Sequence, residues 1–171
     1  AAIRHMISLA EHVAQSHKTT VLEGESGCGK SLLARAMHGS HSAGTRFVTI
    51  DCGFLPEQDT EGFLFAPRLG KLAQAAEGTL YIREIGQLPM LLQHRLLQEL
   101  ERMAAAGQPH HLICSSSVAL EPLIRKGGFS HALYRFVRRN YIPVPSLAER
   151  REDIALLAQH FLAAHTAHNN K

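Results

Sequence analysis

Apolar positions along the chain follow two alternating rhythms. Ile3, Met6, Ile7, Ala10 and Val13 recur at intervals of three and four, which predicts an amphipathic helix over residues 2 to 15. Short apolar runs bounded by turn residues predict strands at Thr20 to Glu23, Phe47 to Ile50, Thr79 to Ile82, His111 to Ser115 and Tyr141 to Val144. Pro143 places the last of these at a sheet edge or a strand terminus. Helical spacing returns between the strands. It runs from Lys30 to about His38, and then in the stripe Leu88, Leu92, Leu96, Leu100 and Met103, with Pro89 at the first helical position and Gly107 past the end. Shorter helices are predicted around residues 57 to 65, at Leu72 to Ala76, at Leu120 to Lys126 and at Phe129 to Phe136. A last helix runs from Glu149 to about His165. Strands that alternate with helices imply a parallel sheet covered on both faces, with ligands beyond the carboxyl ends of its strands.

The length of 171 residues fits one domain, and 45% hydrophobic with 19% charged residues is an ordinary globular composition. The net charge of +3 permits an anionic ligand without requiring nucleic acid. Cys28, Cys52 and Cys114 lack a CxxC spacing and read as reduced thiols of a cytoplasmic protein. No apolar run reaches the length of a membrane span, so no membrane partner is expected. His160, His165 and His168 are not spaced as a helical ligand pair, so no metal site is expected there.

The chemistry concentrates in Gly24-Glu25-Ser26-Gly27-Cys28-Gly29-Lys30-Ser31, which fits GxxxxGK[ST] between a strand and a helix. Glycines let backbone amides turn onto a phosphate, and the helix beginning at Lys30 adds free donors and its positive dipole end. Lys30 would reach the β- and γ-phosphates, and Ser31 would ligate Mg²⁺ if the metal is bound. The candidate nucleotide-binding residues are these eight with Leu32 and Arg83, and the expected ligand is ATP or ADP. Cys28 reads as a small residue at a permissive loop position, with redox gating the alternative.

That loop is one of several fixed phrases. With Phe47-Val48 followed by Asp51-Cys52, with Gly78 through Pro89, and with Pro145 through Ile154, the chain resembles the central AAA+ domain of sigma-54-dependent transcriptional activators. The resemblance implies a P-loop NTPase αβα sandwich with a five-stranded parallel sheet, a single AAA+ core over residues 1 to 171. The helical lid would be missing or truncated, since the family's lid and helix-turn-helix fall beyond these residues. It further implies a bacterial cytoplasmic transcription regulator, in part of the family within a two-component system. A homo-oligomer and RNA polymerase holoenzyme are the implied partners, with DNA reached only through a domain outside these residues.

Four departures from the family pattern change that expectation. The GAFTGA loop that touches sigma-54 is absent, because Phe65 and Gly70 are joined by only Ala66-Pro67-Arg68-Leu69. Relatives without the loop work with the housekeeping sigma factor, and the resemblance implies that mode here. At the end of the third strand the family has Asp-Glu, whereas this chain has Arg83-Glu84. A guanidinium about 5 Å from a divalent cation costs several kcal/mol even at an effective dielectric of about 20, so Mg²⁺ binding should be weakened. Glu84 remains the candidate water-orienting base, with an ion pair to Arg83 as its expected resting state; Arg83 either contacts phosphate directly or stays paired or solvated. The sensor position is Ser117 where the family has Asn. The two arginine-finger positions are Ser130 and Phe136, with Arg135 one residue away. The expectation is a hydrolysis-impaired nucleotide-binding regulatory domain. The alternatives are an active oligomeric ATPase using Glu84 and an arginine in trans, and an oligomerisation scaffold with a vestigial loop.

Overall fold

The computed structural model describes residues 2–15, 19–41, 44–107, 111–154 and 159. Five strands, β1 (Thr20–Glu23), β2 (Phe47–Asp51), β3 (Thr79–Arg83), β4 (His111–Ser116) and β5 (Asn140–Pro143), form one parallel sheet in the order β2-β3-β4-β1-β5. Seven helices accompany them among the described residues: α1 (Ala2–Gln15), α2 (Lys30–His41), α3 (Thr60–Phe65), α4 (Lys71–Gln74), α5 (Met90–Ala105), α6 (Leu120–Arg125) and α7 (His131–Val137). β5 is an edge, as Pro143 requires of a residue with no amide to donate.

Strand periodicity sorts the core into two layers. Val21, Leu80, Ile82, Leu112 and Cys114 face one side and pack with Leu92, Leu96, Leu100 and Met103 of α5 and Leu133 and Val137 of α7. Leu22, Tyr81, Ile113 and Ile142 face the other and pack with Ala10, Val13 and Ala14 of α1 and Leu33, Ala34 and Met37 of α2. The leucine stripe is therefore core, and the sheet is sandwiched between helices as the alternation of elements predicts.

Three expectations need correction. Pro89 is the N-cap of α5, with φ −55° and ψ 142°, and the helix starts one residue later. A proline disfavours the helical region for the residue before it, so the turn Ile85–Gln87 breaks at Leu88 and the chain re-enters helix after the proline. The terminal segment begins as a 3-10 run over Leu147–Asp153, opened by a capping box between Ser146 and Glu149, with Arg150 non-helical inside it. The remainder of the helix expected to His165, and the histidines beyond it, fall largely outside the described residues. The third correction, the partner of Arg83, belongs to the site below.

The connection between α3 and α4 is a tight turn. The Gly70 amide donates to Ala66 O at 2.9 Å, so nothing projects between the two short helices.

Candidate nucleotide site

The C-terminal end of β1 runs straight into the glycine-rich loop. Gly24 is forced by crowding: a Cβ there would overlap the Val144 carbonyl oxygen, and β5 cannot retreat because the Val144 amide is bonded to Glu23 O at 2.7 Å. Gly29 has φ +96°, a conformation that strains any residue with a side chain. The loop so shaped leaves the amides of Gly29, Lys30 and Ser31 without backbone partners among the described residues, facing outward at the open first turn of α2. Cys28 is buried, its Sγ against Gly24, and its carbonyl accepts a hydrogen bond from Arg150 Nη2 at 2.6 Å.

A cleft of about 220 Å³ opens over this loop, lined by Ser26, Gly27, Gly29, Lys30, Ser31, Tyr81, Arg83, Glu84 and Ser115. The structure thus gathers six of the ten candidate binding residues, together with Glu84, around one hollow. The other four candidates do not line it: Gly24 packs beneath, Cys28 is buried, Glu25 contributes its carbonyl, and Leu32 is 72% exposed.

The buried Lys30 ammonium folds back on the loop, donating to Gly24 O at 2.6 Å and Glu25 O at 2.8 Å. A buried cation needs such partners, and the two carbonyls supply them. Glu84 Oε1 lies 4.0 Å from Lys30 Nζ. Glu84 Oε2 accepts from both the Ser117 amide at 2.9 Å and the Ser117 hydroxyl at 2.7 Å. The sensor position therefore holds the carboxylate directly. Glu84 also carries φ 50° and ψ 48°, left-handed backbone that a glutamate adopts only when its surroundings impose it.

The expected ion pair between Arg83 and Glu84 does not form. Arg83 Nη1 instead binds Asp51 Oδ2 at 2.7 Å. The parallel register sets Asp51 directly beside Arg83 at the ends of β2 and β3, whereas Glu84 leaves the strand in left-handed backbone and turns its carboxylate onto Ser117. Asp51 is thus a site residue that sequence reasoning missed. Its signal was its place at the carboxyl end of a strand.

Tyr81 and Ser115 were missed too. Tyr81 is fully buried, yet its hydroxyl meets Ser31 Oγ at 3.1 Å and Ser115 Oγ at 3.0 Å. Burial pushes the phenol above its ordinary value, so it stays protonated.

Of the arginines on and after α7, Arg138 is occupied, 3.3 Å from Glu121 and over the rings of Tyr134 and Tyr141. Arg139 lies over Phe136. Arg135 is exposed and makes no ion pair or ring contact with the described residues.

Comparison with known proteins agrees with this geometry. The Sigma-54 interaction domain family matches residues 1–143. The transcriptional regulatory protein ZraR of Escherichia coli (strain K12) is 35% identical over 190 positions, covering 99% of this chain and 43% of ZraR. That aligned stretch is longer than the chain, so ZraR carries segments that these residues lack. The regulatory protein AtoC of the same strain is 34% identical over 179 positions, covering 93% of this chain and 39% of AtoC. Among solved structures, NtrX from Brucella abortus in complex with ATP superposes with a TM-score of 0.83 at 29% identity, over 95% of this chain and 41% of that one. The chain spans less than half the length of each of these three.

Proposed function

Because the chain belongs to the Sigma-54 interaction domain family, we propose that it is the nucleotide-binding regulatory domain of a transcription regulator of that kind, impaired in hydrolysis and not a remodeller of sigma-54 holoenzyme. ATP or ADP fits the residues present: open amides at the start of α2, the Lys30 ammonium and the Arg83 guanidinium converge on one cleft. The solved relative in complex with ATP supports the same ligand class.

Mg²⁺ does not fit. The observation that carries the reading is the Arg83 guanidinium on the cleft wall, fixed by Asp51 at 2.7 Å. Glu84 is the cleft's one carboxylate among the described residues, and Ser117 already occupies one of its oxygens. A doubly charged cation would meet the Lys30 ammonium, the Arg83 guanidinium with its Asp51 counter-ion, and a carboxylate already engaged by Ser117. Arg83 and Lys30 together can neutralise phosphate charge without it. The same bonds hold the Glu84 carboxylate on Ser117 through Oε2 and leave only Oε1, 4.0 Å from Lys30 Nζ, to take a proton from an attacking water. The short turn between α3 and α4 supports the absence of a sigma-54-contacting loop.

The test is binding of a slowly hydrolysed ATP analogue with and without Mg²⁺, for the parent and for Arg83→Asp. Tight binding that ignores Mg²⁺ in the parent and requires it in the variant is expected. Equal Mg²⁺ dependence in both overturns the cation-substitute reading and favours the working ATPase, for which the free Arg135 is the supporting observation. No binding in either leaves the oligomerisation scaffold.

A further inference from the structure

A second cavity, of about 530 Å³, opens between the turn joining α3 to α4, α4 itself and α5. The nucleotide cleft measures about 220 Å³, and the two share no lining residue. The larger cavity falls within the range of about 300 to 1,000 Å³ that holds small organic ligands. Its walls explain why it stays open. Ala73 of α4 and Ala76 just past that helix both line it, so two methyl groups stand where longer side chains would close the space. The rim is fixed at Gly70, where a Cβ would overlap the backbone of Ala66. The floor is apolar: Leu72 and Met103 are buried in the core, and Phe65 packs against it.

The mouth is charged, and its charge does not balance. Arg95, Glu99 and Arg102 follow one another at intervals of four and three, which sets them on one face of α5. Glu99 stands between the arginines, its Oε2 2.9 Å from Arg102 Nε and its Oε1 3.8 Å from Arg95 Nε. It is the acid that both arginines share among the described residues, so one carboxylate answers two cations. The Arg95 guanidinium also lies 5.6 Å from the centre of the Phe65 ring, which sets a fork of donors beside the apolar floor.

We propose that this cavity is a binding site for a small amphipathic carboxylate. The apolar body, aromatic or aliphatic, lies on Phe65, Leu72 and Met103, and the carboxylate lies between Arg95 and Arg102. An uncharged ligand would leave the excess positive charge of the mouth unanswered, and an amine would add to it. The proposal does not depend on nucleotide binding. It gives the domain a second ligand, of a different chemical class, at a separate place on the fold.

The test titrates the whole chain with octanoate and with naphthylacetate, each against its neutral amide, and follows the backbone amide shifts by NMR. The acids should bind with Kd of about 1 mM or below. The largest shifts should fall at Phe65, Leu72, Ala76, Arg95 and Met103. The amides should bind about fivefold more weakly, for want of the charge-assisted bonds. Arg95→Gln combined with Arg102→Gln, two exposed positions, should bring acid and amide to equal affinity. Ala73→Phe fills the cavity and should abolish binding of both, while the affinity for an ATP analogue stays at the parent value in every variant. Absence of binding by both acids overturns the proposal, as does binding that survives Ala73→Phe or shifts centred elsewhere. Should Ala73→Phe fail to fold, the arginine pair decides: an undiminished preference for the acids refutes the site. Shifts at the same residues on dilution alone would make a second copy of the chain the occupant, and would overturn it too.

Discussion

Glu23 closes β1 one residue before the glycine-rich loop, and its carboxylate is nearly buried. It accepts long hydrogen bonds from the Leu120 amide at 3.3 Å and the Tyr141 hydroxyl at 3.4 Å. Burial dominates these: it pushes the carboxyl above its ordinary value of 4.5, and nearby Glu121 adds to the push against the pull of Arg138. The folded protein therefore binds the Glu23 proton more readily than the unfolded chain does. Its contribution to stability is complete below about 4.5 and is lost as pH rises through the folded value. Glu23→Gln keeps an acceptor for Leu120 and removes the titration. The thermal midpoint of the variant should gain on the parent as pH climbs from about 4 to about 8, and should lie above it at neutral pH. Parallel curves for the two proteins would show that the carboxyl is not perturbed by folding. Asp51, at the corresponding end of β2, differs because Arg83 stands beside it. Two strand-terminal carboxylates thus have different surroundings, one buried with long hydrogen bonds and one ion-paired, and neither environment is visible in the residues adjacent to them in sequence.

At the scale of elements, α5 is held by more than its leucines. Gln93 is fully buried on the same helix face, donating to Leu88 O at 2.7 Å and Gly128 O at 3.1 Å and accepting from the Ser130 amide at 2.7 Å. One side chain thereby fastens the turn before α5, the loop after α6 and the N-cap of α7. Gln93→Leu preserves volume but strands two carbonyls and an amide in the core, at about 3 kcal/mol in all. For a chain of this size the thermal midpoint should fall by about 6 to 12 °C, as followed by circular dichroism. A drop below about 2 °C would mean that water or backbone shifts replace the amide. The helix itself was legible, because the recurrence of Leu92, Leu96 and Leu100 is local information. So were all five strands, whose apolar runs are contiguous, and the loop, whose glycines and lysine lie within eight residues. Gln93 was not legible, since a glutamine among leucines signals nothing until its three distant partners are placed. Arg83 with Asp51, Ser117 with Glu84 and Arg150 with Cys28 O are the same kind of case. Each is created by sheet register or chain return across 32 to 122 residues, and no spacing rule encodes it.

At the scale of the whole molecule, the cleft's positive side chains among the described residues are Lys30 and Arg83, and both already have partners within the chain. A third cation, of the kind that speeds phosphoryl transfer by about 10³ to 10⁵ in other nucleotidases, would have to arrive from a second copy. Of the arginines on and just after α7, Arg138 is paired with Glu121 and lies over two tyrosine rings and Arg139 lies over Phe136, which leaves Arg135 as the side chain that could be offered. The hydrolysis-impaired reading holds that no such completion occurs, because Glu84 is already engaged by Ser117 of its own chain. Turnover of ATP per chain should therefore be slow and flat as protein concentration is raised from about 1 to about 100 μM, and Arg135→Ala should leave it unchanged. If turnover per chain instead climbs with concentration and Arg135→Ala abolishes the climb, assembly does complete the site. Glu84 must then let go of Ser117 in the assembled state, and the domain is a working ATPase whose activity is set by oligomerisation.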